Sequence, residues 1–198
     1  MIFLATPIKI YIDQGHNPQG VNAGAEGFGY REQDITYQVG IYLRDILRQD
    51  GRFEARTSRN TPDEVLGTSN ATSLATRVNE ANAWGADYFI SIHCNANENP
   101  AVNGSEVYVY REGSPAAQLA RRVLDAIVAR VGTKDNGVRV NPSLYVLRRT
   151  RMPAILVELA YITNAEDVQK LVNDQYAFAY AIYEGICAYF GFTPTVGI

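Results

Sequence analysis

The chain contains only two histidines, and each follows an apolar run. His16 comes after Lys9-Ile10-Tyr11-Ile12 in Asp13-Gln14-Gly15-His16, and His93 closes Asp87-Tyr88-Phe89-Ile90-Ser91-Ile92. A carboxylate, Glu158, stands in the same relation to Ala154-Ile155-Leu156-Val157. If those runs are parallel strands, all three groups reach one edge of one sheet. A single histidine at a strand end is ordinarily solvated or hydrogen-bonded. Both histidines of a chain at such positions, with a carboxylate at a third, point to a site. Two neutral imidazoles and one carboxylate form a catalytic zinc set that leaves the fourth position for water.

The residues leave open which carboxylate completes that set. Glu158 is one choice. Glu32 is another: it opens a long helical stripe after the loop Gly24-Ala25-Glu26-Gly27-Phe28-Gly29, which can turn it back toward the strand ends. An acid at a helix start is also what the macrodipole favours without any metal. Glu26, in the loop itself, is a weaker third choice. Asn95 lies two residues beyond His93, so strand alternation puts it on the same side, where it touches substrate, orients a ligand or bonds local backbone. Cys94 points the other way.

The elements that must position these groups alternate in type. Strands are expected at Lys9–Asp13, Phe53–Thr57, Asp87–His93, Glu106–Tyr110, Leu144–Leu147 and Ala154–Glu158. Helices are expected over Gln33–Asp50, with Ile35, Val39, Leu43, Ile46 and Leu47 on one stripe, and over Leu74–Trp84. A third begins at Ser114-Pro115, an N-cap followed by proline, and the segment from Asn164 to about Phe190 is helical in one or two pieces. This pattern predicts a single α/β domain over residues 1–190, a mostly parallel twisted sheet of about six strands with helices on both faces. Residues 191–198 read as a tail or linker stub.

Composition narrows the function. The chain has 198 residues, 46% hydrophobic and 20% charged, with a net charge of −3 and its positive residues scattered. It therefore lacks the basic patch that a nucleic-acid surface needs, and no run is long enough to span a membrane. The start Met1–Pro7 is apolar but too short for a signal peptide. Cys94 and Cys187 both lie in apolar stretches and read as reduced core thiols.

Several motifs in order extend the argument: Ile12-Asp13-Gln14-Gly15-His16, Gly24-Ala25-Glu26-Gly27, Glu32 opening a helix, Thr57-Ser58-Arg59, Leu74-Ala75-Thr76-Arg77, Ser91-Ile92-His93-Cys94-Asn95-Ala96, Gly104-Ser105-Glu106-Val107-Tyr108, and Val146-Leu147-Arg148 before Pro153–Glu158. Together they resemble the zinc-dependent N-acetylmuramoyl-L-alanine amidases (type 3) found as autolysins, cell-division amidases and phage endolysins. The chain departs from that pattern in Asn17-Pro18 after the first histidine and in Asn22-Ala23-Gly24-Ala25. The resemblance implies one zinc per chain held by His16, Glu32 and His93, with Glu158 as the catalytic carboxylate. The implied substrate is peptidoglycan, cut between the muramoyl lactyl group and L-alanine at the bacterial cell wall, by a secreted, periplasmic or phage-released enzyme. Arg148 is a further candidate for contact with the acidic stem peptide. Some cell-division members carry a long regulatory helix after the strand matching Gly104–Tyr110. Only Arg111-Glu112-Gly113 separates that strand from Ser114, so no obligate activator is expected, and the chain is expected to be a monomer. The rival readings are another zinc peptidase of the wall, a non-catalytic peptidoglycan-binding module and a structural zinc domain.

Overall fold

The computed structural model describes residues 6–197, so Met1–Ala5 of the apolar start and Ile198 lie outside the described residues. In chain order the elements are β1 (Ile8–Gln14), β2 (Glu26–Gly27), β3 (Tyr30–Arg31), α1 (Glu32–Gln49), β4 (Phe53–Thr57), α2 (Asn70–Trp84), β5 (Tyr88–Asn95), β6 (Ser105–Val109), α3 (Pro115–Val131), β7 (Asp135–Val140), α4 (Tyr145–Arg149), β8 (Ala154–Tyr161), α5 (Ala165–Asn173) and α6 (Gln175–Phe190). Six strands form one sheet in the order β4-β1-β5-β8-β6-β7. All neighbours are parallel except β6 against β8. The expected α/β class is present.

Strand alternation divides the sheet into two unlike faces. Ile10, Ile12, Ile90, Ile92, Val107, Val109, Ile155 and Val157 point into the main core, beneath α1, α3 and α6. Helix α6 lies against α1 and α3 and is apolar nearly all round, as a covered helix must be. Its approach to α3 depends on Gly185, where an added Cβ would sit 2.5 Å from Val123 Cα. The other face carries Tyr11, Phe89, Ala154 and Leu156 under α2 and α4 in a smaller cluster. Further along β5, β8 and β6, this face turns polar.

Three expectations are corrected. Leu144–Leu147 is not a strand: Tyr145–Arg149 forms the one-turn helix α4, which buries Val146 and Leu147 side by side against the second face. A run of four apolar residues does not distinguish the two conformations. The sixth strand is instead β7, an edge strand whose Gly137 and charged positions break any alternation. His93 and Glu158 do not close their strands, since β5 runs on to Asn95 and β8 to Tyr161. Both therefore project from a sheet face near its edge.

Helix α2 also begins earlier than its apolar stripe, at a capping box formed by Ser69 and Thr72. The tail has no regular structure, but it is docked: Tyr180 Oη donates to the Val196 carbonyl at 2.7 Å, and Thr195 N–H donates to Tyr183 Oη at 2.9 Å. No helix among the described residues is long and apolar enough to cross a membrane.

Candidate metal centre

Each ligand candidate is placed by a local device. His93 shares its face of β5 with Ser91 and Asn95, while Ile92 and Cys94 point into the main core. Burial, then the Glu32 and Glu158 charges, push the Cys94 thiol well above its usual range, which suits an inert core thiol. His16 follows β1 in a left-handed conformation, φ 69°. Such backbone is uncommon for a residue with a Cβ and is typical of functional sites. It is held there by Arg77 Nη2, which donates to the His16 carbonyl at 2.7 Å.

Glu32 is turned inward by its loop. Its own N–H donates to the Ala25 carbonyl at 2.9 Å, while its Oε2 accepts from Ala25 N at 2.8 Å. Its Oε1 accepts from Cys94 N at 2.9 Å. Arg59, fully buried, donates to the Gln33 carbonyl at 2.7 Å and so braces the first turn of α1. Glu26 lies exposed in the two-residue strand β2, outside the cluster.

Three donor atoms converge. His93 Nδ1 lies 3.0 Å from Glu32 Oε1 and 3.2 Å from His16 Nε2, and His16 Nε2 lies 3.2 Å from Glu32 Oε1. The outer nitrogens have acceptors of their own: His16 Nδ1 is 3.2 Å from the Asn22 carbonyl, and His93 Nε2 is 3.1 Å from Ser91 Oγ. Ser91 Oγ donates in turn to Asp13 Oδ2 at 2.7 Å, and Asp13 Oδ1 receives Arg77 Nη1 at 2.7 Å. This network places the protons on the outer nitrogens and turns two lone pairs and a carboxylate oxygen toward one point, an arrangement that a cation relieves. Burial alone would raise the Glu32 carboxyl, but its close contacts with His16 and His93 outweigh it and hold the group well below the usual range. The donor set fits zinc, which takes imidazole nitrogen and carboxylate oxygen.

Glu158 pairs in register with His93 across β5 and β8. Its Oε2 is buried and has no hydrogen-bond partner. Burial first, then the Glu32 and Glu106 carboxylates, raise this carboxyl well above its ordinary value. A buried, unpartnered acid costs stability, and such groups cluster where protons are moved. Beside the imidazoles, a cavity of about 130 Å³ is lined by Leu74, Leu144, Tyr145 and Leu156.

Of the remaining candidates, Asn95 bonds local backbone and also reaches Glu106. Its Oδ1 accepts from Ala96 N at 2.9 Å, and its Nδ2 donates to Glu106 Oε1 at 2.7 Å. Arg148 sits apart, exposed on α4, in a groove with Tyr110, Arg111 and Arg151. Ser91, Asp13 and Arg77 are the supporting residues without an assigned role in the sequence reading, although alternation on β5 already places Ser91 beside His93.

Gly15 marks how tight the centre is. A Cβ there would lie 2.5 Å from His93 Cε1 and 2.6 Å from the Ile92 carbonyl. Gly15→Ala is expected to displace the imidazole and weaken zinc binding about 10- to 100-fold, the range for disturbed ligand support. Chelator competition measures it, and parental affinity in the variant would contradict the packing described.

An open α/β sheet that gathers two imidazoles and a carboxylate beside a buried, unpartnered acid defines a domain built around a candidate catalytic metal centre. The chain belongs to the N-acetylmuramoyl-L-alanine amidase family, whose sequence profile matches residues 10–188. It is 36% identical over 187 residues to the N-acetylmuramoyl-L-alanine amidase LytC of Bacillus subtilis (strain 168), covering 91% of this chain and 35% of that protein. It is 35% identical over 179 residues to the N-acetylmuramoyl-L-alanine amidase CwlM of Bacillus licheniformis, covering 90% of this chain and 65% of the relative. It thus spans between about a third and two thirds of their lengths. Among solved structures, the N-acetylmuramoyl-L-alanine amidase AmiC2 of Nostoc punctiforme superposes with a TM-score of 0.81 at 35% identity, over 93% of this chain and 97% of that one.

Proposed function

We propose that this chain is a zinc-dependent N-acetylmuramoyl-L-alanine amidase that acts on peptidoglycan in the bacterial cell wall. The observation that carries the reading is the meeting of His16 Nε2, His93 Nδ1 and Glu32 Oε1 next to Glu158, in a chain of this family. His16, Glu32 and His93 would hold the zinc. When bound, zinc supplies a Lewis acid that lowers the pKa of water and polarises a carbonyl.

The protein's own groups do the rest. The Ser91 hydroxyl and the Asn22 carbonyl keep the two imidazoles in the tautomers that face the centre. Glu158 takes a proton from the attacking water as the water oxygen bonds to the lactyl carbonyl carbon. The C–N bond then breaks, and Glu158 returns the proton to the leaving nitrogen. The products are a lactyl carboxylate on the sugar and a free amino group on L-alanine.

Only Tyr110–Ser114 join β6 to α3, so no helix is inserted at that connection. The isolated chain is therefore expected to digest purified sacculi without a partner protein. Dye release from labelled sacculi tests this. Activity should vanish with a chelator and return with added zinc. Activity that is indifferent to the chelator, or absent until a partner is added, would contradict the proposal.

A further inference from the structure

One cluster beside Glu158 has no part in the steps above. Glu106 faces Glu158 in register across β6 and β8. It is 2% exposed, and its Oε1 accepts from Asn95 Nδ2 at 2.7 Å and from Tyr108 Oη at 2.9 Å. Its Oε2, buried and without a hydrogen-bond partner, lies 2.6 Å from Arg139 Nε in an ion pair. The Arg139 side chain is about half exposed.

Guanidinium carries five N–H donors, more than one carboxylate oxygen can accept. Here a buried carboxylate pairs with the guanidinium at its Nε edge, and the half-exposed head keeps donors for something else. Because Glu106 is fixed by two further donors, Arg139 is held before any ligand arrives. That lowers the entropy cost of binding.

We infer that Arg139, anchored by Glu106, is a receptor for a carboxylate on the peptide side of the substrate. The inference rests on the amidase reading, which puts the cleaved amide at Glu158. From β8 across β6 to β7 is two strand spacings, roughly 10 Å. An extended peptide rises about 3.3 Å per residue, so an acidic residue two or three positions beyond the cleaved bond comes within reach. An acidic stem peptide presents free carboxylates, and amidation would remove their charge. Arg139 would read that difference.

The test uses the full zinc-loaded chain and two synthetic muropeptides that differ only in a free carboxylate or an amide on the acidic residue. The readout is the ratio of kcat/KM on the carboxylate form to that on the amide form. The wild type should prefer the carboxylate about tenfold, in keeping with a half-exposed charged contact. Arg139→Gln should bring the ratio to about one, through a higher KM on the carboxylate form, and Arg139→Lys should restore part of it. A purely structural role for Arg139 would scale both rates together and leave the ratio unchanged, which overturns the inference. So does a wild type that treats the two alike. A wild type that cleaves neither overturns the amidase reading, and this inference falls with it.

Discussion

Glu158→Gln is expected to leave one zinc per chain in place and to reduce amide hydrolysis by about 10²- to 10⁴-fold, the usual contribution of a positioned general acid–base group. Glu158 is not one of the three converging donors, so metal binding should survive. Its Oε2 has no hydrogen-bond partner to lose. Its carboxyl is raised by burial and by Glu32 and Glu106, so the ionised form weighs against the folded state at neutral pH. The sign follows: a neutral amide of the same shape removes that cost, and the variant should be as stable as the parent or more so. Calorimetry, metal analysis and rate measurement together check it. A variant that stays near the parental rate, or that loses zinc, would show that Glu158 has another role.

Arg77→Met should be among the most destabilising single changes in the chain. Arg77 is 1% exposed and joins α2 to the loop that carries His16. It donates to Asp13, to the Gln14 and His16 carbonyls and to Asn17. Removing it leaves the Asp13 carboxylate buried without a cation, a change that typically costs 3–5 kcal/mol. In the parent, burial would raise the Asp13 carboxyl, but the Arg77 charge and hydrogen bond and the Ser91 hydroxyl hold it below its ordinary value. That stabilisation is present at neutral pH and is lost as pH falls through the lowered value. In the variant the carboxyl is raised instead, so the deficit should be largest near neutral pH and shrink on acidification as Asp13 takes up a proton. Denaturant unfolding at several pH values tests both statements, and a deficit below about 1 kcal/mol at neutral pH would contradict the assigned role. Zinc affinity should fall as well, because His16 loses the bond that holds its left-handed backbone and Ser91 loses a fixed partner.

What could be read in advance follows from which interactions are local. His16, His93 and Glu158 stand out because each polar group interrupts an apolar run, a signal carried within a few residues. The same locality gives α1 its stripe and α3 its Ser114-Pro115 start. The choice among Glu26, Glu32 and Glu158 as third ligand is not local. An acid at the start of α1 looks like any helix-terminal acid until the loop turns it against Cys94 N, 62 residues away. The pairing of Arg77 with Asp13 across 64 residues is equally invisible in composition or period. Leu144–Leu147 is too short to show the period of α4, and β7 goes unmarked because an edge strand needs no apolar alternation. Arg139 looks like an ordinary surface cation until β7 brings it to the buried Glu106.

The most direct test is mass spectrometry of muropeptides after digestion of purified peptidoglycan, with and without a chelator. Hydrolysis at the amide next to the sugar leaves intact stem peptides with a free N-terminal alanine and glycan strands that end in unmodified lactyl groups. The zinc-loaded chain should produce both, and the chelated chain neither. Cleavage inside the stem peptide would identify a peptidase on the same sheet, and peptidoglycan that is bound but uncut would identify a binding module. Either result would contradict the amidase assignment.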